Sequence, residues 1–219
     1  MTKLHQCKYR YGLTGTLDDT QTHRLVLEGL FGAVKDVVST KELIDKKTLA
    51  NLRIKCILLK HPSKREKLTY QEELNYLVTN DKRNLFLTNL LKHLNGNTLC
   101  LFQLVEKHGK VLYDKMKERE NVFFIYGKTD TTEREEIRHI VDGAKNSTII
   151  ASYGVFSTGV NIRNINNIVL ASPSKSKIRV LQSIGRGLRT SKNKDSVIVF
   201  DIGDDMSYRE RKNFTLNHF

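Results

Sequence analysis

Six short runs rich in Val, Ile, Leu and Phe punctuate the chain, and they constrain its fold more tightly than anything else. They are Ile54–Leu59, Thr98–Phe102, Val122–Tyr126, Thr148–Ser152, Ile168–Ala171 and Val197–Asp201. Most are continuous rather than alternating, as strands covered on both faces require. Amphipathic patterns between them predict helices near Asp81–Leu94, Glu106–Glu118, Glu133–Val141 and Lys175–Leu188. Thr132 with Glu135 reads as a capping box for the third of these, and Gly143 as its stop. Strand-helix alternation implies an α/β fold with a parallel, doubly wound sheet. Ligands gather at the carboxyl ends of such strands, so the loops after Phe102, Tyr126 and Ser152 are the first places to look.

The first fifty residues do not fit this unit. Tyr9–Leu13 reads as one strand and Gln21–Leu30 as an amphipathic helix, with Gly29, Gly32 and the run to Leu43 as a linker. One strand and one helix cannot make a domain by themselves.

At 219 residues, 39% hydrophobic and 28% charged, the chain can bury a core as one large domain or one and a piece. Its two prolines and lack of low-complexity tracts argue against disorder. No apolar run approaches the ~20 residues of a membrane span, and Met1–Lys8 lacks the apolar stretch of a secretory signal. Cys7, Cys56 and Cys100 are widely spaced and odd in number. They read as reduced, mostly buried thiols in a cytoplasmic protein, with no metal role. The seven histidines show no metal-ligand spacing either.

The net charge of +13 is uneven. From Gly143 to Lys194 there is no Asp or Glu but nine Lys or Arg: Lys145, Arg163, Lys175, Lys177, Arg179, Arg186, Arg189, Lys192 and Lys194. A field of one sign attracts a polyanion, nucleic acid or nucleotide phosphate. Within that stretch, Gln182, Arg186 and Arg189 share one narrow face if the segment is helical. Ile178, Leu181, Ile184 and Leu188 fall on an adjoining arc that can be buried. Two guanidinium forks on a packed helix suit a triphosphate, although a solvated basic face has the same spacing.

A pocket for that triphosphate is harder to find. Gly127-Lys128-Thr129 ends like a phosphate-cradling loop, but Val122 stands where its first glycine belongs. Gly154 and Gly159 have the right separation, yet Val160 and Asn161 follow in place of lysine and a hydroxyl residue. No Asp-Glu-x-His or Asp-Glu-x-Asp stretch is available to hold Mg2+.

Arginines without a cradle, in this order, resemble the C-terminal motor half of a superfamily 2 helicase. Tyr11–Thr16 resembles motif III, Thr98–Gln103 motif IV, Ser157–Ile162 motif V and Gln182–Arg189 motif VI. Ile125–Thr129 followed by Glu133-Arg134 is similar to the family's next nucleic-acid-facing segment. The Lys8–Asp19 and Gln182–Thr190 stretches are most similar to the recombination and repair helicases of T-even phages.

The resemblance implies a RecA-like second motor domain over residues 45–219, preceded by a remnant of the first domain and a linker over residues 1–44. It implies that Arg186 and Arg189 are arginine fingers, and that Gln182, Gly159, Asn161 and Gly185 line the ATP cleft. Many relatives carry an acid where Asn161 stands; the asparagine could hydrogen-bond there or cap a turn. Gln103, Gly127, Lys128, Ser157 and Thr158 would meet nucleic acid, and exposed amides near Gln103 and Gly127 would meet its phosphates. Turn hydrogen bonding for the two hydroxyls and a solvated loop for Lys128 stay open. Thr14, Gly15 and Thr16 would couple the two motor domains, with plain turn chemistry for Thr14 and Thr16 the alternative. ATP and Mg2+ would be held mainly by the first domain, in cis or as a separate polypeptide, so the chain alone is expected to lack ATPase activity. The implied substrate is branched or single-stranded DNA, in the host cytoplasm if the chain is phage-encoded. A stand-alone basic nucleic-acid-binding module and an RNA-dependent motor partner are the alternatives.

Overall fold

The computed structural model describes residues 7–13, 21–35, 37–62, 67–158, 162–174, 176–190 and 194–208. Six parallel strands form one sheet: β1 (Asn51–Lys60), β2 (Thr98–Phe102), β3 (Val122–Ile125), β4 (Thr148–Ser152), β5 (Asn167–Leu170) and β6 (Ser196–Asp205). Their order across the sheet is β1-β6-β5-β2-β4-β3. The α/β expectation therefore holds, and each of the six sequence runs falls on a strand, with Tyr126 and Ala171 one residue beyond theirs. Parallel neighbours need crossovers, and the intervening helices supply them: α1 (Gln21–Phe31) and α2 (Thr40–Asp45) precede the sheet, followed by α3 (Tyr70–Thr79), α4 (Asp81–His93), α5 (Lys110–Asp114), α6 (Thr131–Gly143), α7 (Tyr153–Thr158) and α8 (Lys177–Gly187).

β2 shows why continuous apolar runs suit this position. Its residues alternate between two cores. Leu99 and Leu101 join α6, α7 and α8 on one face through Val141, Val155 and Ile184. Cys100 and Phe102 join α4 and α5 on the other through Leu87, Leu91 and Leu112. The edge strand β1 is mostly exposed, and Arg53 and Lys55 sit along it as charges that discourage further pairing.

Several local expectations need correcting. Tyr9–Leu13 forms no strand, and Tyr9, Tyr11 and Leu13 are exposed; no neighbour among the described residues offers it a ladder. The stretch around Gly29 and Gly32 is not plain linker. α1 runs through Gly29, and Gly32 follows it at φ +86°, a left-handed position suited to glycine. Ser39 and Glu42 then close a capping box on α2. α6 does not start from a Thr132–Glu135 box, because Asp130 takes the cap position and Glu135 pairs with Arg138 at 2.9 Å. Gly143 is that helix's last residue rather than its stop, and Ala144 leaves extended. The Glu106–Glu118 helix is a π-turn (Val105–Gly109) running into the short α5. A Cβ on Gly109 would overlap the Phe102 ring, so the bulge and the glycine go together. Of the three cysteines only Cys100 is buried; Cys7 and Cys56 are exposed.

Candidate functional site

The expected site residues fall at two ends of the sheet. At the carboxyl end, Gln103 follows β2, Gly127 and Lys128 follow β3, and Ser157 and Thr158 close α7 directly after β4. The side chains of Ser157 and Thr158 lie outside the described residues, as do Gly159 and Asn161 and the Thr14, Gly15 and Thr16 segment. The Gln103 side chain is exposed, but its N–H donates to Ser172 Oγ at 3.1 Å. That amide is therefore committed internally, against the expectation that it meets phosphate. Gly127 and Lys128 are exposed, with open space where a Gly127 Cβ would stand. Arg134 Nη2 donates to the Tyr126 and Gly127 carbonyls at 3.3 Å, tying this loop to the first turns of α6.

Ser172, just past β5, organises this edge. Besides holding Gln103, its hydroxyl pairs with His108 Nδ1 at 2.7 Å, and its carbonyl accepts from the Tyr153 hydroxyl at 2.9 Å. The loops after β2, β4 and β5 are thus fixed to one another. Burial pushes His108 down to about 3, so its ring is neutral near pH 7, and burial pushes the Tyr153 hydroxyl well above its ordinary value. A second buried polar group lies at the end of β6. Arg83 grips Asp204 with two bonds of 2.9 Å, and His61 Nε2 pairs with Asp204 Oδ1 at 2.9 Å. Burial pushes the Asp204 carboxyl up, but His61 and Arg83 outweigh it and hold the group below the usual carboxylate value.

The arginines lie elsewhere. α8 returns from the carboxyl end of β5, packing Val180, Ile184 and Leu188 into the core while Leu181 is partly exposed. It ends at Gly187, where a Cβ would overlap Ile168 Cδ1, so glycine lets the helix approach β5 closely. Leu188 O accepts the Ala50 N–H at 2.8 Å, and Arg189 forms an antiparallel bridge with Leu49. These contacts put the end of α8 beside the start of β1, at the amino end of the sheet. Arg189 is consequently not on the helix with Gln182 and Arg186; it is aimed by the Leu49 bridge. Burial, then the like charge of Arg189, lower the proton affinity of half-buried Arg186. The two guanidiniums therefore feel one another. Gln182 and Gly185 are exposed, with open space around the Gly185 Cα.

Two mutually repelling cations suit the outer oxygens of a polyphosphate. They do not suit Mg2+, and no group of three His, Cys, Asp or Glu among the described residues could hold a metal. Sequence reasoning overlooked the Ser172 node and the role of Lys194, which it counted among the polyanion-attracting charges. Lys194 is buried and donates to backbone carbonyls at the end of α8. No sequence pattern marks such a contact.

Residues 81–191, just over half of the chain, match the helicase conserved C-terminal domain. The chain belongs to the helicase C-terminal domain family. As a helicase domain it is 34% identical over 216 residues to the ATP-dependent DNA helicase UvsW of Enterobacteria phage T4, covering 95% of this chain and 43% of UvsW. The crystal structure of T4 UvsW matches 78% of this chain and 37% of its own, with a TM-score of 0.64. The ATP-dependent type ISP restriction-modification enzyme LlaBIII, solved bound to DNA, shares only 14% identity over 89% of this chain and 14% of its own, at TM-score 0.54, and is a likeness of fold. The chain spans about two fifths of UvsW's length. Among the described residues, no helix is long and apolar enough to cross a membrane.

Proposed function

We propose that this chain is the C-terminal motor half of an ATP-dependent DNA helicase that acts on branched recombination and repair intermediates. Residues 45–219 are its second RecA-like domain, and residues 1–44 belong to the first domain and the linker. The observation that carries the proposal is the anchoring of Arg186 and Arg189 at the amino end of the sheet, with the exposed Gly127-Lys128 loop at the carboxyl end. An ATP cleft and a nucleic-acid track can then be worked by one rigid domain. Arg186 and Arg189 are the arginine fingers, an effect of about 10³–10⁵ in rate for such groups. Gln182, Gly185, Gly159 and Asn161 line the same cleft. The exposed side chains of Gln103 and Lys128 and the hydroxyls of Ser157 and Thr158 contact the DNA backbone, while Thr14, Gly15 and Thr16 couple cleft closure to that grip. Bound Mg2+–ATP supplies the scissile phosphate bond, and the first motor domain holds it.

On this basis the 219-residue chain hydrolyses no ATP alone. Mixed with a separately expressed first motor domain carrying the phosphate loop, it is expected to restore DNA-stimulated turnover that Arg186→Ala abolishes. Turnover by the chain alone, lost with the same substitution, overturns the division of the site. No turnover in the mixture, with salt-sensitive DNA binding retained, favours a stand-alone nucleic-acid-binding module. Competition between branched DNA, single-stranded DNA and RNA tests the substrate class; preference for RNA points to an RNA-dependent motor instead.

A further inference from the structure

Lys194 stands in the acid-free stretch but does not face solvent: it is 2% exposed. Its Nζ donates to the carbonyl oxygens of Arg163 and Arg189, each at 3.0 Å, and to that of Gly187. These three acceptors match the three N–H bonds of an ammonium. They come from the turn leading into β5, from the last residue of α8 and from the residue bridged to Leu49. The Gly187 carbonyl is one of those a helix end leaves without an intrahelical partner, at the negative pole of the helix dipole. A cation buried there is compensated by aligned carbonyls instead of a carboxylate.

We propose that Lys194 is a positioning residue for the Arg186–Arg189 pair, its ammonium pinning the end of α8 and the Arg189 backbone to the Arg163 turn. The inference rests on the assignment of those arginines to the phosphate cleft. Arg189 has left the helix, so its direction depends on what holds its peptide. The Leu49 bridge fixes it from one side. Lys194 fixes it from the other, and through Arg163 connects it to the segment that follows Ser157–Ile162.

The geometry requires the charged form. A neutral amine keeps two N–H bonds and turns a lone pair toward the third carbonyl. Burial pushes Lys194 down to about 8, so it is an ammonium at neutral pH and loses its proton in mildly alkaline solution. The charged residues on the segments around it are Arg163, Arg186, Arg189 and its neighbour Asp195. Because the folded pKa lies below the ordinary 10.5, the unfolded chain holds this proton more tightly. Between about pH 8 and 10.5 its loss therefore favours the fold. Alkaline pH should release Arg189 without weakening the protein through this group, a combination that a purely structural lysine does not predict.

The test uses the full chain as wild type, Lys194→Met and Lys194→Arg. Guanidinium Nε–H and backbone amide NMR signals of Arg186 and Arg189 are followed with thermal melting, and turnover is measured in the mixture with the first motor domain. In a folded Lys194→Met variant, the Arg189 signals are expected to shift and become mobile. Turnover should lose about tenfold to a hundredfold in kcat with little change in KM. Wild type should show the same loosening between pH 7 and 9.5, while Lys194→Met shows no such pH dependence. Unchanged arginine signals and kcat in folded Lys194→Met, with Arg186→Ala inactive, overturn the Lys194 proposal alone. If Arg186→Ala turns over normally, the assignment of the arginines falls and the proposal falls with it. Should Lys194→Met not fold, the wild-type titration decides: Arg189 signals that stay fixed while the Lys194 Nζ signal titrates overturn the proposal.

Discussion

Two glycines of α8, separated by one residue, have different surroundings. Gly185 faces open space, whereas a Cβ on Gly187 would run into Ile168 Cδ1 in the fully buried β5. Helical glycine costs roughly 0.5–1 kcal/mol relative to alanine through lost backbone entropy. Gly185→Ala should therefore stabilise the chain by up to that amount, and Gly187→Ala should destabilise it by about 1 kcal/mol as the end of the buried Ile168 side chain is pushed aside. Urea unfolding of the two variants checks the opposite signs. If Gly185 lines the ATP cleft, the stabilised variant should also lose turnover in the two-domain mixture; unaltered turnover would remove Gly185 from that cleft. A larger loss is expected at Asp204, which is gripped by buried Arg83 and by His61. Asp204→Ala leaves the Arg83 guanidinium without its carboxylate and should cost about 3–5 kcal/mol. A urea midpoint close to wild type would show that the pair contributes little beyond filling space.

Elements show where the sequence was legible and where it was not. Buried strands announce themselves because both faces need apolar side chains, so β2 and β4 were placed to the residue and β5 to within one. α8 is also visible, with its apolar arc and its arginines, but the helical periodicity carries on to Arg189, two residues past the end at Gly187. The backbone leaves the helix after Gly187, and Arg189 is held by Leu49, about 140 positions earlier in the chain. Periodicity cannot see a contact of that span. The same limit hid Lys194: its charge is readable, but the carbonyls that bury it come from two other segments. α3 was overlooked although Thr69 and Glu72 form a complete capping box before it. That signal was local and could have been used. The Thr132–Glu135 pair has the same spacing but lies inside α6, which begins at Thr131 after Asp130 at the cap position. A sequence motif proposes a cap, and the residue at which the helix begins decides whether it can act as one.

On the scale of the whole molecule, the two ends of the sheet differ in what holds them. The amino end is joined by backbone contacts from α8 to the segment before β1, by the buried Lys194 ammonium and by the Asn97 amide, none of which takes up a proton in acid. The carboxyl end relies on buried polar side chains, centred on Ser172 and Asp204. Such groups make the fold sensitive to acid, and the order of events can be worked out. His108 is held near 3 by burial, against an ordinary 6.5, so the unfolded chain takes up a proton that the native ring refuses. Stability should fall as pH drops below about 6.5, by up to about 1.4 kcal/mol per pH unit from this group until its folded pKa is approached. Asp204 follows at lower pH. Its carboxyl is held below the ordinary 3.8, so its contribution is intact above that value and lost as pH falls toward the folded pKa. Urea midpoints of wild type and His108→Asn, measured from pH 7 to 4, isolate the His108 part, because the Asp204 contribution is still intact over that range. Wild type should lose stability steadily across the range, while His108→Asn starts lower and declines with a shallower slope. Parallel slopes would mean that His108 takes up its proton without unfolding the loops it joins, leaving Ser172 to hold the carboxyl edge through Gln103 and Tyr153 alone.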